Sequence, residues 1–242
     1  MDIRRGKFPF PSWNHSFKFV LLGAIVLSLF FLINQLKLSQ IFPIKKVQIF
    51  GSEHLDHDEM KFLVSPLVEK SFFTVNVDQI RERLRQLPWA SDIFVRRQWP
   101  DKIEVRVVEK KAIAHWNGGT LLSHGGVIFS PKKETYPNNL PQFRGPDGKQ
   151  MIMLKYYDEI NRLLSPLHAK ISYLELTPYY HWKVMLSNGI TLQIGHKDIL
   201  TRLDHFVKVY PKIVGTRAES VEYVDLRYAN GMAIRWKDSY RA

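Results

Sequence analysis

The sequence predicts an α+β protein carried on a single N-terminal transmembrane helix. A small β-α-α-β-β domain follows the helix, and then a mixed α/β domain built on an extended antiparallel sheet. Three observations predict this: a long apolar run near the N-terminus, a switch of apolar spacing from the helical period to the strand period within the next hundred residues, and a closing pair of alternating strands.

The apolar run is Phe19 to Leu36. Phe19 to Ile33 holds no charge, and Gly23 and Ser28 interrupt its apolar side chains. At 1.5 Å per residue the run is about 27 Å long, close to a bilayer core of about 30 Å. Lys18 and Lys37 close it at both ends and can snorkel to the headgroups. The residues that follow contain no Ala-x-Ala-like site, and every face is apolar. An uncleaved anchor is therefore expected rather than a signal peptide or a buried core helix. Arg4, Arg5, Lys7 and Lys18 precede the span, against Lys37, Lys45 and Lys46 after it. The positive-inside rule then holds residues 1–18 in the cytoplasm and places the remainder across the membrane.

Beyond the anchor the chain is long enough for two small domains, 42–110 and 111–242, each with its own core. Hydrophobic content of 45% and aromatic content of 13% argue for folded chain. No cysteine is present, which excludes disulfides and thiolate metal sites. The net charge of +12 divides as +4 over 1–37, +1 over 38–110 (12 basic, 11 acidic) and +7 over 111–242 (18 basic, 11 acidic). The charges are spread along strands and helices as on a solvated surface, so no nucleic-acid partner is expected. A membrane surface or an acidic protein fits the C-terminal excess better.

In the first domain Ile44 to Phe50 reads as a strand turning at Gly51. Met60, Leu63, Val64, Leu67 and Val68 have helical spacing that Pro66 is expected to kink or divide. Val77, Ile80, Leu84 and Leu87 mark a second helix, with Asn76 as N-cap and Pro88 as stop. Ile93 to Trp99 is then a strand, Pro100-Asp101 a turn, and Lys102 to Val107 alternates strictly. Ile103, Val105 and Val107 face the core while Lys102, Glu104 and Arg106 face water.

In the second domain strands are expected at Lys111–Trp116, around Leu121-Leu122 and Val127–Phe129, at Ile171–Leu176, His181–Leu186 and Ile190–Ile194. Ser130 to Gly148 lacks periodicity and reads as a long ordered loop. Helices are expected around Leu154–Leu164 and over Lys197–Tyr210, which Pro211 closes. The closing hairpin runs from Val221 to Tyr228, turns at Ala229-Asn230-Gly231, and returns with Met232, Ile234 and Trp236 on one face. Such a last strand is either a sheet edge open to strand addition or one half of a satisfied hairpin with Tyr228 and Trp236 in its core. The pattern weighs these equally.

The wording of several stretches resembles a known family. Phe42-Pro43-Ile44 leading to Gly51, Phe72-Phe73-Thr74-Val75, Leu87-Pro88-Trp89-Ala90, Val95-Arg96-Arg97-Gln98-Trp99-Pro100-Asp101 and Val105 to Glu109 resemble the POTRA domain of the bacterial cell-division FtsQ family. Tyr223 to Tyr228, Gly231 and Trp236 resemble that family's C-terminal strand pair. The resemblance is loose over Ser130 to Lys170. It implies a non-enzymatic divisome scaffold of the bacterial inner membrane, with its bulk in the periplasm. That scaffold would bind FtsB, itself paired with FtsL, by strand addition at the terminal hairpin. The POTRA-like domain would contact other division proteins. By position, Tyr228 and Trp236 would be aromatic anchors, Arg227 an ion-pair donor to the partner, and Gly231 a point of close backbone approach. Asn230 and Ile234 complete the set. Tyr179-Tyr180 stand where relatives have an arginine, so the resemblance does not carry over a second ion pair.

Nothing in the sequence asks for catalysis: it has no Gly-x-Ser-x-Gly, no glycine-rich phosphate loop and no His-Glu-x-x-His. His54-Leu55-Asp56-His57-Asp58 could hold a metal through nitrogen and carboxylate, but before a helix an aspartate is a usual cap. Asp158 and Glu159 point to different sides of a helix and make a poor acid/base pair. No cofactor or metal is expected. The competing readings are a POTRA-bearing periplasmic chaperone or translocation component, and a membrane-anchored cell-wall enzyme.

Overall fold

The computed structural model describes residues 15–35, 42–228 and 231–237. Most of the expected cytoplasmic tail, the link from 36 to 41 and Asn230 lie outside them. The apolar run forms α1 (His15–Gln35), a helix of 21 residues. Its side chains are described over 19–31, all of them exposed in the isolated chain. Those positions cover only about 20 Å at 1.5 Å per residue. Among the described residues, then, no helix is long and apolar enough to cross a membrane.

The chain packs as two compact units. The first takes the described residues up to Phe50, with His57–Arg83 and Phe94–Arg106; the second takes Gly51–Asp56, Leu84–Ile93 and the described residues from Val107 onward. The segment 42–110 contributes β1 (Lys46–Phe50), α2 (His57–Val68), α3 (Val77–Arg85), β2 (Ala90–Gln98) and β3 (Lys102–Glu109). The three strands lie in the order β1-β3-β2, with β1 parallel to β3 and Val47 opposite Ile103. The alternation does what it predicts: Ile93, Val95, Ile103, Val105 and Val107 are buried, as are Met60 and Val64 of α2 and Ile80 of α3. Asn76 caps α3, its Oδ1 accepting from the N–H groups of Asp78 (3.0 Å) and Gln79 (3.1 Å).

Two expectations change here. Pro66 does not divide α2, which runs on to Val68. The proline sits in the last turn, where its missing N–H removes a single bond. Glu104, expected on the wet face, is buried because Arg96 reaches over it, Nη2 to Oε2 at 2.7 Å, with Arg106 at 3.9 Å.

The second unit holds a nine-stranded sheet among the described residues, in the order β12-β11-β10-β9-β8-β7-β4-β5-β6. Its strands are β4 (Ala112–Trp116), β5 (Thr120–Ser123), β6 (Ile128–Phe129), β7 (Gln142–Arg144), β8 (Ile171–Leu176), β9 (Trp182–Leu186), β10 (Thr191–Gly195), β11 (Val221–Asp225) and β12 (Ala233–Trp236). The sheet is mixed rather than antiparallel throughout, since β4/β7, β7/β8 and β10/β11 are parallel pairs. Each of these joins follows a connection too long for a hairpin. β7 lies inside the stretch expected to be loop, and three residues are too few to show a period. Yet β7 joins the two halves of the sheet.

The helices α4 (Gln150–Leu164) and α5 (Ile199–Ile213) bury Met153, Leu154, Ile160 and Leu164, and Ile199, Leu203 and Phe206. These join Trp116, Phe143, Leu174, Val184, Leu192 and Val224 in one hydrophobic core. α5 runs past Pro211 by two residues, again with the proline in a last turn that loses one bond.

Candidate functional site

The site is built from the last two strands and α5. β12 is hydrogen-bonded to β11 on one side, with Val224 opposite Ile234 and Asp225 opposite Ala233, and it ends the sheet. Its alternation holds: Met232, Ile234 and Trp236 are half-buried against the core, while Ala233 and Arg235 are exposed. The reading of this strand as a sheet edge therefore describes its position among the described residues.

The turn out of β11 is made by Asp225. Its carboxylate accepts the Arg227 backbone N–H at 3.0 Å, an Asx turn that ends the strand three residues earlier than the alternation suggests. The same carboxylate holds the Arg227 guanidinium, Nη2 to Oδ2 at 2.6 Å and Nε to Oδ1 at 2.9 Å. These bonds from Arg227 outweigh the cost of burial and keep the Asp225 pKa below its ordinary 3.8. Arg227 is thus already engaged within its own chain, although its side chain stays 54% exposed.

Because the strand stops at Asp225, the two aromatic candidates part company. Tyr228, beyond the Asx turn, is 59% exposed. It lines an open cleft of about 350 Å³ with Asp198, Thr201, Arg202, His205, Leu226 and Gly231. Trp236 instead packs toward the core, and the Arg217 guanidinium lies 4.9 Å from its ring centroid. At Gly231 an added Cβ would meet no atom of the described residues within 4 Å. The contribution of α5 to the cleft is not visible in the sequence, since its polar face has no period-2 relation to the hairpin. One signal was present: Gly195, at φ +86°, brings its backbone against Arg227 and Arg202, whose side chains a Cβ would meet at 3.2 and 3.4 Å.

The histidine-rich turn before α2 is engaged in packing. The His54 ring bonds Glu109 (Nδ1 to Oε2, 2.8 Å) and stacks on Trp89 at 4.2 Å. Among the described residues no three His, Asp or Glu side chains gather as metal ligands.

Comparison with known proteins places this architecture. Residues 42–110 match the family model for the FtsQ-type POTRA domain, and residues 114–227 match that for the C-terminal part of the cell-division protein FtsQ/DivIB. The cell-division protein FtsQ of Coxiella burnetii is 38% identical over 197 residues, 81% of each chain. This chain belongs to the FtsQ/DivIB family of cell-division proteins. FtsQ of Shewanella oneidensis is 32% identical over 91% of this chain and 84% of its own. FtsQ of Escherichia coli is 30% identical over 91% and 82%. The FtsQ/DivIB match ends at Arg227, so Tyr228 and β12 lie beyond it.

Proposed function

We propose that this FtsQ-family protein is a non-enzymatic scaffold of the bacterial division machinery. It crosses the inner membrane once through α1, with its N-terminus in the cytoplasm and its folded units in the periplasm. The 18-residue run closed by Lys18 and Lys37 supports the crossing, and the basic surplus before it supports the orientation. The terminal hairpin binds FtsB, and through it FtsL, while the POTRA unit contacts other division proteins.

The observation that carries the binding surface is the place of β12, the last strand of the sheet, with an exposed tyrosine and a cleft at its turn. An added strand would take main-chain bonds from the edge, and the cleft would take one side chain. Tyr228, Gly231, Ile234, Trp236 and Arg227 form this surface, with Arg227 shared between Asp225 and an acidic group of the partner; Asn230, implied by the resemblance to join them, lies outside the described residues.

The test is titration of the full-length protein with a C-terminal FtsB peptide. Tyr228→Ala, which removes an exposed ring, is expected to weaken binding by about 2 kcal/mol, roughly thirtyfold, without changing thermal unfolding. Unaltered affinity in this variant sinks the assignment. Trp236→Ala is the poorer probe because it also disturbs the core.

A further inference from the structure

The start of the first unit carries an aromatic corner that the binding site does not use. The Phe72 N–H donates to the Phe42 carbonyl at 2.8 Å, and Pro43 bridges Ser71. The turn Ser71–Thr74 is closed by N–H groups of Thr74 and Val75 on the Ser71 carbonyl, at 3.0 and 2.9 Å. Phe72 takes the buried position, so its neighbour Phe73 is turned out, 53% exposed. The Phe73 ring meets both Phe42 and Phe72 edge-on at 5.4 Å. Lys45, Lys46 and Lys70, all exposed, flank these residues in sequence, and the Lys45 ammonium lies 3.9 Å from Asp101 with 71% of its side chain exposed.

A rigid, exposed aromatic beside lysines has the chemistry of a membrane-interface contact: the ring enters the headgroup and acyl boundary, and the ammonium groups meet anionic phosphates. Chain length supplies the second argument. Only six residues separate Gln35, the end of α1, from Phe42. Fully extended, that link reaches about 25 Å. We infer that the corner of Phe42, Phe73 and the flanking lysines seats the first unit on an anionic lipid surface, resting on the reading that α1 spans the bilayer. The seat restrains the unit about its short tether, which the tether by itself does not do.

The cysteine-free chain allows a clean test. The full-length protein with Glu69→Cys carries one nitroxide label and is placed in nanodiscs of mixed phosphatidylglycerol and phosphatidylcholine. Collision with lipid-soluble oxygen is compared with collision with a water-soluble nickel chelate. The expected result is an oxygen preference at least fivefold above that of the same chain in detergent. It should fall toward the detergent value with Phe73→Ser added, and decline in phosphatidylcholine alone. A solvent-like ratio in a chain that survives alkaline carbonate washing of the nanodiscs overturns the seat while leaving the anchor intact. Loss of the chain on washing overturns the anchor first. Shielding that develops only after a membrane-embedded partner helix is added shows a protein contact instead, and also overturns the seat.

Discussion

The two ends of the nine-stranded sheet are finished in opposite ways. At one end β6 is two residues long, and Phe129 lies edge-on to Trp89 at 5.0 Å with the Lys110 ammonium 5.4 Å over its ring. Trp89, 2% exposed, also stacks on His54 and donates its indole N–H to Thr135 at 2.8 Å. Behind them Glu109 accepts the backbone N–H groups of Glu53, His54 and Leu55 at 2.9 to 3.1 Å. A strand of two residues offers few main-chain groups to a passing strand. At the other end β12 is four residues long, with alternating exposure and a cleft beside its turn. One end is a two-residue strand beside an aromatic cluster; the other is shaped by a single carboxylate, Asp225. Each end also has an acidic side chain held ionised, but by different means and for different ends: amides and an imidazole fold a loop onto Glu109, whereas a guanidinium fork aims the Tyr228 turn.

If Trp89 is the packing centre of the β6 end, then Trp89→Ala should be the costliest change, about 3 to 5 kcal/mol by denaturant unfolding. A loss below 1 kcal/mol would break the comparison. Next comes Tyr228→Ala at the open end, which should affect FtsB-peptide binding alone. Glu109→Gln should cost about 2 kcal/mol at neutral pH, because three backbone donors lose a charged acceptor. Burial, the largest single influence on Glu109, raises its pKa, but the His54 and backbone hydrogen bonds together hold it below 4.5. Its stabilisation is therefore present above about pH 4.5 and lost as pH falls toward the lowered folded-state value. The variant should show a shallower acid loss in a pH series of unfolding curves. Asp225→Asn should be smallest, about 1 kcal/mol, since Arg227 is half in water. With the Asp225 pKa lowered from 3.8, its pH effect should begin only below that value. Its sharper readout is a change in peptide affinity as the Tyr228 turn loosens.

Much of this was legible from local pattern. The strict alternation of Lys102 to Val107, the Asn76 cap and the face of Met232, Ile234 and Trp236 all follow from side chains acting within one element. Errors came where one residue answers to two. Glu104 belongs to the wet face by parity, yet Arg96 from the neighbouring strand buries it. Asp225 alternates like a strand residue but uses its carboxylate on its own backbone, and so ends the strand before Tyr228. β7 was invisible because three residues carry no period, and only its neighbours β4 and β8 make it a strand.

The apolar run, the family to which the chain belongs and the alternation of the closing hairpin follow from the residues and their spacing along the chain, as does the order of the elements apart from β7. Tertiary structure decided which strand ends the sheet, that Tyr228 is exposed while Trp236 turns toward the core, and that α5 lines the cleft. Those outcomes depend on which surfaces meet: a strand becomes an edge only by what fails to pair beside it, and an aromatic becomes an anchor or a core residue only by what covers it.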